Sequence, residues 1–292
     1  MLDRVMPEGS QLSPPPRSNS ASLPRGFLRA NMLLRRAANR VVITGGSSGV
    51  GVAIVAALLQ KEGRGQIYVT GTRAFEDTQL ALMLRERSTD EAERVRYSVG
   101  DTGCTEAVTR QMADAVQFFE GLPPDTLFLN AGIGGGRYQL EDLDIDRFDA
   151  IMRTNVRGVF LWLRAALPLL KKLEGPSQIV VTSSVLGNRA TTQAAAYCAS
   201  KFAVNGMVLS LRQDLRSAHP LMKVGLVCPA AIATPWWDEP GRSGAFKATP
   251  KPTALLSADA VAEACISLVE QSPSSNIEQL NIETVEGSGG GL

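Results

Sequence analysis

The 292-residue sequence has almost no excess of charge of either sign and no long apolar run. Thirty lysines and arginines stand against 29 aspartates and glutamates, which leaves a net charge of +1. Such a balance provides no broad basic surface for nucleic acid. No stretch approaches the roughly 20 uninterrupted apolar residues that a membrane helix needs, so no membrane span is predicted. The expected partners are small molecules or other copies of the chain.

Histidine and cysteine are also scarce. The single histidine, His219, stands before Pro220 at the end of a helical pattern, which makes it a poor candidate for a catalytic base. The cysteines are scattered, without a CxxC pair or clustered histidines, so neither a metal site nor a disulfide framework is expected. We interpret them as reduced thiols; they are Cys104, Cys198, Cys228 and Cys265.

Residues 1–38 differ in composition from the rest of the chain. They are rich in proline, serine and arginine and contain only Asp3 and Glu8 as acids. This composition predicts a disordered extension and is also typical of an organellar transit peptide. The segment lacks the apolar block of a secretory signal, so we expect an intracellular protein, cytoplasmic or organellar. Residues 39–286 are predicted to form one domain, followed by a flexible tail at 287–292.

From Arg40 onwards, short β-rich runs alternate with longer helical ones. This pattern is typical of parallel strands joined by crossover helices, and the uninterrupted apolar runs suit strands covered on both faces. We therefore predict an α/β fold, a single doubly wound (Rossmann) domain with a mostly seven-stranded parallel sheet and helices on both faces. The predicted strands are 40–44, 66–70, 95–98, 126–129, 178–182, 223–228 and 279–282, and the predicted helices lie near 50–61, 76–88, 105–118, 146–173, 197–216 and 257–271.

A glycine-rich turn follows the first predicted strand directly and leads into a helix. Glycine permits a tight turn and a close approach of backbone N–H groups to a pyrophosphate, and a helix N-terminus favours negative charge. A glycine cluster alone is weak evidence, but its place after the first strand predicts dinucleotide binding. The residues concerned are Thr44, Gly45, Ser47, Ser48, Gly49, Val50 and Gly51.

The TGxxxGxG spacing of this turn resembles the signature of the short-chain dehydrogenase/reductase family. The resemblance covers roughly residues 40–285 and implies an NAD(P)-dependent oxidoreductase acting on a carbonyl or alcohol. It implies that Asp101 contacts the adenine region of the cofactor and that Asn130, Ala131 and Gly132 pass close to the cofactor.

The end of the second strand bears on which dinucleotide is bound. An acid there would hold the ribose 2′-hydroxyl of NAD, whereas a base would accept the 2′-phosphate of NADP. The sequence has no carboxylate at that point, and Arg73 follows closely. NADP is therefore favoured, with NAD left open because Glu76 or Asp77 would also be within reach.

Tyr197 and Lys201 form a YxxxK pair near the start of a predicted helix. A spacing of four places both side chains on one face, about one turn apart. An ammonium favours the phenolate form, so we expect Lys201 to lower the pKa of Tyr197 towards a useful range. By itself, such a pair is more typical of an ordinary exposed helix face.

Ser184 strengthens the catalytic interpretation because it follows the fifth strand, where parallel sheets place ligand-binding residues. It also precedes Tyr197 by the interval found in the family. Ser184 is expected to orient the substrate carbonyl, with Ser183 as the alternative. The resemblance adds Asn155, which would hold a water linked to Lys201, and so completes a tetrad.

The resemblance also places Pro229, Ile232 and Thr234 at the nicotinamide, although Ala230 replaces the glycine that the family more often has. The composition of residues 236–253 suits a loop over the site, with aromatic residues as a substrate pocket or as packing on the scaffold. The pocket would be lined by Trp236, Trp237 and Phe246, and opposite them by Gly134 to Gly136 and Tyr138.

Two further interpretations stay open at this point. A non-catalytic NADP-binding regulator would keep the fold, and a lyase or epimerase would use the cofactor without net oxidation.

The helices near 146–173 and 197–216 carry more apolar surface than one sheet contact needs. By resemblance they would pair in a homodimer or homotetramer, and otherwise they are deeply buried.

Overall fold

The computed structural model describes residues 39–61, 65–134, 136–237 and 254–285. Within these ranges, seven parallel strands form one sheet in the order β3-β2-β1-β4-β5-β6-β9. The predicted doubly wound fold is thereby confirmed. Its strands are β1 (Arg40–Thr44), β2 (Gln66–Gly71), β3 (Val95–Val99), β4 (Thr126–Leu129), β5 (Ser177–Thr182), β6 (Met222–Pro229) and β9 (Gln279–Ile282). The predicted boundaries at 38/39 and 286/287 stay predictions, because residues 1–38 and 286–292 lie outside the described ranges.

Two hydrophobic cores cover the two faces of the sheet. The strands contribute alternately to each: Val42 and Leu127 belong to one core, while Ile43 and Phe128 belong to the other. Burial on both faces explains why these strands read as continuous apolar runs. The helices are α1 (Val50–Leu59), α2 (Gln79–Arg85), α3 (Thr89–Glu93), α4 (Thr105–Phe118), α5 (Ile145–Ile151), α6 (Gly158–Leu170), α7 (Ala195–Leu215) and α8 (Ala258–Glu270).

The helix predicted near 76–88 is divided in the structure. A 3-10 turn (Phe75–Asp77) precedes α2, and a separate helix, α3, follows it. Ser88 begins α3 with a capping box, in which its hydroxyl accepts from the Glu91 N–H and the Glu91 carboxylate accepts from the Ser88 N–H. A serine followed three residues later by glutamate is a helix-start signal, so the division was readable in the sequence.

The helix predicted near 146–173 is continuous but irregular. Residues Met152–Arg157 form a π turn between α5 and α6, and the Gly158 N–H donates to the Arg153 carbonyl five residues earlier. Such turns insert one extra residue into a helix and are frequent at functional sites. A second unpredicted feature is a two-stranded sheet of β7 (Ile232–Ala233) and β8 (Leu256–Ser257).

The crossover point of the sheet lies between β1 and β4, which pair in parallel although they are not consecutive strands. In an open α/β sheet, ligands bind in the crevice at the carboxyl ends of the strands at such a point. No helix within the described ranges has both the length and the hydrophobicity needed to cross a membrane.

Candidate active site

A cavity of about 450 Å³ opens at the carboxyl ends of the strands, above the crossover point. It runs from the glycine turn after β1 to the residues that follow β5 and β6. The predicted residues that line it are Gly45, Ser47, Ser48, Gly49, Val50, Asp101, Asn130, Ala131, Gly132, Ser184, Tyr197, Lys201, Pro229, Ile232 and Thr234.

The glycine turn has no room for side chains. Gly45 and Gly49 have φ angles of 65° and 56°, which favour glycine. A Cβ atom on Gly45 would lie 2.7 Å from the Ala131 Cα, and one on Gly51 would lie 2.4 Å from the Gly45 carbonyl oxygen. Gly51 does not line the cavity; its lack of a side chain instead lets α1 approach the turn closely.

The N-terminus of α1 faces this turn. Its N-cap residue is Gly49, whose N–H donates to the Gln79 side chain at 3.0 Å, and the first turn of the helix contains no acid. The first N–H groups of a helix have no partner within the helix, and the helix dipole favours an anion beside them. The turn and helix end together fit the pyrophosphate of a dinucleotide.

Two other residues predicted to bind the cofactor, Thr44 and Asp101, have different places in the structure. The Thr44 hydroxyl accepts hydrogen bonds from the N–H groups of Asn130 and Ala131, at 3.0 and 3.1 Å, so Thr44 joins β1 to β4 rather than lining the cavity. Asp101 lines the cavity, accepts from the Gly103 N–H and pairs with Arg153.

The Arg73 side chain does not line the cavity, whereas Gly71 and Thr72 at the end of β2 do. The Arg73 carbonyl accepts a 2.9 Å hydrogen bond from the Tyr97 hydroxyl. This bond fixes the backbone of the loop that would carry the predicted recognition of a 2′-phosphate.

The four predicted catalytic residues come from three different parts of the fold. Tyr197 and Lys201 lie on the first turns of α7, Ser184 follows β5, and Asn155 sits within the π turn. The ammonium of Lys201 lies 5.6 Å from the centre of the Tyr197 ring and donates to the Thr182 carbonyl at 3.2 Å. The Ser184 hydroxyl donates to the Pro229 carbonyl at 3.4 Å, accepts from the Leu186 N–H at 3.1 Å and lies close enough to Tyr197 to act on its pKa.

Burial dominates the electrostatics of this group. It raises the pKa of Tyr197 to about 12, although the Ser184 hydroxyl acts in the opposite direction. Burial also lowers the pKa of Lys201 to about 8. The expectation that Lys201 lowers the pKa of Tyr197 was therefore wrong for this structure, because removal from water opposes the phenolate form more than the Ser184 hydroxyl favours it.

Asn155 does not line the cavity; it supports the residues that do. Its side-chain oxygen accepts from the Ile133 N–H at 2.8 Å, and its amide donates to the Ile133 carbonyl and to the Ser200 hydroxyl. A Cβ atom on Gly132 would lie 3.3 Å from the Asn155 oxygen and 3.7 Å from the Lys201 ammonium. A glycine at 132 therefore keeps the space between these two side chains open.

The tryptophans after β7 line the same cavity. The Trp236 ring meets the Tyr197 ring edge to face at 6.2 Å, and the Trp237 indole N–H donates to the Ile232 carbonyl at 2.7 Å. Phe246 and Gly135 lie outside the described residues. On the opposite wall Gly134 and Gly136 line the cavity as predicted, but Tyr138 does not.

Several residues of the site were missed at the sequence level. Arg137, Leu186 and Thr191 line the cavity, and Asn205 holds the segment after β5 in place. Their signal was their position, either after the end of a strand or one helical turn beyond Lys201. Ala230 stands where the family more often has glycine, and its N–H donates to the Ile282 carbonyl at 2.8 Å, which extends the pairing of β6 with β9.

Comparison with known proteins identifies the family. The short chain dehydrogenase family model matches residues 39–242. One relative, 2-(R)-hydroxypropyl-CoM dehydrogenase of Xanthobacter autotrophicus, is 33% identical over 196 residues, which cover 66% of this chain and 74% of the relative.

Solved structures agree with this match. The alcohol dehydrogenase of Thermococcus sibiricus, complexed with 5-hydroxy-NADP, is 25% identical with a TM-score of 0.70, over 84% of this chain and 97% of the other. A short chain dehydrogenase from Burkholderia cenocepacia in complex with NADP is 27% identical with a TM-score of 0.68, over 85% and 98%. The chain belongs to the short-chain dehydrogenase family and is an NAD(P)-dependent oxidoreductase that interconverts an alcohol and a carbonyl.

Proposed function

We propose that Tyr197 is the general acid of carbonyl reduction in this enzyme and the general base of alcohol oxidation. The observation that carries the proposal is that Tyr197 and Ser184 line the same cavity wall, with the buried Lys201 ammonium 5.6 Å from the centre of the Tyr197 ring. With a pKa of about 12, Tyr197 holds its proton at neutral pH and can donate it.

In this proposal each residue has one task. The bound nicotinamide supplies or accepts the hydride. Ser184 orients the substrate oxygen and Tyr197 delivers the proton to it. Lys201 places positive charge beside the phenolate that remains, and Asn155 fixes the backbone of Ile133 at the cavity wall.

The test is turnover of a carbonyl panel, measured by nicotinamide absorbance, in the wild type and Tyr197→Phe. Loss of the hydroxyl is expected to reduce kcat by about 10²-fold or more while dinucleotide affinity stays within a few-fold. Tyr68→Phe is the matched control, because Tyr68 is buried in a core cluster and does not line the cavity. Full activity in Tyr197→Phe would refute the assignment.

We further propose a preference for NADP over NAD. It is supported by the absence of a carboxylate at the end of β2, where Gly71 and Thr72 line the cavity and Arg73 follows. Arg73→Ala is expected to weaken NADPH binding about tenfold or more and to leave NADH binding nearly unchanged. Equal effects on both dinucleotides would refute the role of Arg73.

A homodimer or homotetramer formed through α6 and α7 is also proposed. Phe160 on α6 and both Phe202 and Leu209 on α7 are 46–50% exposed, and the spacing of seven puts the last two on one helix face. Phe202→Glu is expected to shift the mass measured by light scattering towards the monomer. A monomeric wild type would refute this proposal.

An intracellular location is proposed, with a role for residues 1–38 in addressing the protein to an organelle as the alternative. All four cysteines lie in the described residues as free thiols, which suits a reducing compartment. A fusion of residues 1–38 to a fluorescent protein distinguishes diffuse from organellar localisation.

A further inference from the structure

The cavity wall near Tyr197 carries a cation that the proposed mechanism does not use. Arg137, in the segment between β4 and α5, lines the cavity together with Thr191 and Ala194. Resting on the function proposed above, we propose that the substrate bears an anionic oxygen group, a carboxylate or sulfonate, on an apolar body, and that Arg137 binds this anion.

Backbone contacts place Arg137 at the substrate end of the cavity. The Arg137 guanidinium donates to the Thr192 carbonyl, and the Tyr138 N–H donates to the Gln193 carbonyl at 3.0 Å. The segment 191–193 leads within two residues into α7, whose first turn carries Tyr197. Arg137 is thus held beside the chain that enters the catalytic helix.

The guanidinium retains most of its binding capacity. It has five N–H donors, and its one contact to Thr192 is long, at 3.4 Å. Within the described ranges Arg137 forms no ion pair with a carboxylate. Because its side chain is only partly exposed, solvent screens the charge less than at an open surface. A planar guanidinium in this state suits bidentate binding of a carboxylate or sulfonate.

The charge distribution along the cavity supports the same ligand. Among the described lining residues, Asp101 is the one carboxylate, and it is already paired with Arg153 near the end of β3. Among the residues that the structure describes, the substrate end therefore has the positive charge of Arg137 and no carboxylate that lines the cavity beside it. Its remaining walls are mostly apolar and include Ile133, Val185, Leu186, Ala194 and Trp236.

The experiment compares probes of matched shape that differ in charge. Reduction of 4-carboxybenzaldehyde and 4-formylbenzenesulfonate is measured against that of methyl 4-formylbenzoate, with saturating NADPH. Variants are Arg137→Ala and Arg137→Lys, with Arg216→Ala as the control for loss of one exposed arginine. Arg216 follows α7 and precedes β6, so it lies near the amino ends of the strands, whereas the cavity lies at their carboxyl ends.

The wild type is expected to prefer the anionic probes. Arg137→Ala is expected to lower kcat/KM for them about 10- to 100-fold, chiefly through KM, and to change the neutral ester about twofold or less. Arg137→Lys should recover part of the loss, because it keeps the charge but not the planar fork. Equal effects on charged and neutral probes, or a wild type that prefers the ester, would overturn the proposal.

A binding measurement separates this proposal from the one on Tyr197. The NADP-saturated protein is titrated calorimetrically with 4-methylbenzoate and with 4-methylbenzamide, which do not react. Binding of the benzoate alone, lost in Arg137→Ala and retained in Tyr197→Phe, supports the anion site whether or not Tyr197 proves to be the proton donor. Equal binding of both compounds, or of neither, refutes it.

Discussion

The Ser183 hydroxyl donates a 2.6 Å hydrogen bond to the side-chain oxygen of Asn205, and both side chains are buried. Asn205 lies one helical turn beyond Lys201, and its amide donates in turn to the Gly187 carbonyl and the Asn188 side chain. The asparagine therefore joins the catalytic helix to the segment that carries Ser184. We assign it a positioning role, because it contacts neither the cavity nor the reacting atoms.

Asn205→Ala is expected to reduce kcat more than it changes dinucleotide affinity, because Ser184 loses its support while the glycine turn is untouched. The buried Gly187 carbonyl and Ser183 hydroxyl would lose partners, which costs about 1–3 kcal/mol of stability. Denaturant unfolding and steady-state kinetics measure the two effects. Asn281→Ala, which removes the outer partner of Asn188 and an exposed hydrogen bond from Gln279, is the control. A variant with reduced stability but normal kcat would contradict the positioning role.

The pH dependence of carbonyl reduction is expected to follow Lys201 and not Tyr197. Burial lowers the pKa of Lys201 to about 8, so its ammonium is lost as the pH rises through that value, whereas Tyr197 keeps its proton to about 12. The value of kcat/KM for the carbonyl should therefore fall above about pH 8. Lys201→Arg, which stays charged, should lack this alkaline decline. A flat wild-type profile up to pH 10 would contradict the prediction.

The lowered pKa of Lys201 also affects stability, which should rise with pH where activity falls. A lysine whose folded pKa is about 8 binds fewer protons in the folded state than in the unfolded state between that value and its usual 10.5. The free energy of unfolding contributed by Lys201 should therefore rise with pH across this window. Lys201→Met should remove this rise, measured by urea unfolding at pH 7.5 and 9.5.

Gly51→Ala should abolish dinucleotide binding or folding, because the new Cβ atom would lie 2.4 Å from the Gly45 carbonyl oxygen and 2.6 Å from the Gly46 Cα. Neither of these backbone atoms can move without opening the turn. Gly175→Ala is the matched control, since a Cβ atom there meets nothing within 4 Å. Fluorescence titration with NADPH and thermal unfolding report the two effects. Normal binding by Gly51→Ala would refute the close packing of α1 on the turn.

Trp236→Ala should shift selectivity towards bulkier carbonyl substrates. The indole lies edge to face against Tyr197, so its removal opens space beside the proposed proton donor. The ratio of kcat/KM for 2-acetylnaphthalene to that for acetophenone measures the effect, with Trp236→Phe as the conservative control. An unchanged ratio would show that Trp236 does not limit substrate size.

The sequence predicted the sheet well because its strands are apolar on both faces and are separated by helices of ordinary length. Val41 to Ile43 and Ile179 to Val181 could hardly form anything but central strands. The doubly wound fold then placed the candidate residues at one edge of the sheet. Tyr197, Lys201 and Ser184 were predicted as catalytic candidates from the YxxxK spacing, from the place of Ser184 after β5 and from the resemblance to the family. The structure places all three at the cavity.

Other features were not predictable in the same way. The pKa of Tyr197 depends on how much protein surrounds it, which a spacing of four does not reveal. Asn205 and Arg137 matter through contacts with residues that are distant in the chain, at Ser183 and Thr192. Their residue types are typical of any helix surface or loop, so only their positions, after a strand end and one helical turn beyond Lys201, distinguished them.

The π turn at Met152–Arg157 separates two demands on one long helix. Asn155 must point inward to bind both backbone groups of Ile133, while Trp162 and Ala166 must keep an apolar stripe turned towards the sheet. In a regular helix each residue is rotated by about 100° about the helix axis relative to the one before it. The direction of the Asn155 side chain would therefore be fixed by the direction of Trp162 and Ala166. The extra residue of the π turn lets the two halves of the helix face in independent directions. After a single-residue deletion there, either Trp162 and Ala166 would turn away from the sheet or Asn155 would turn away from Ile133.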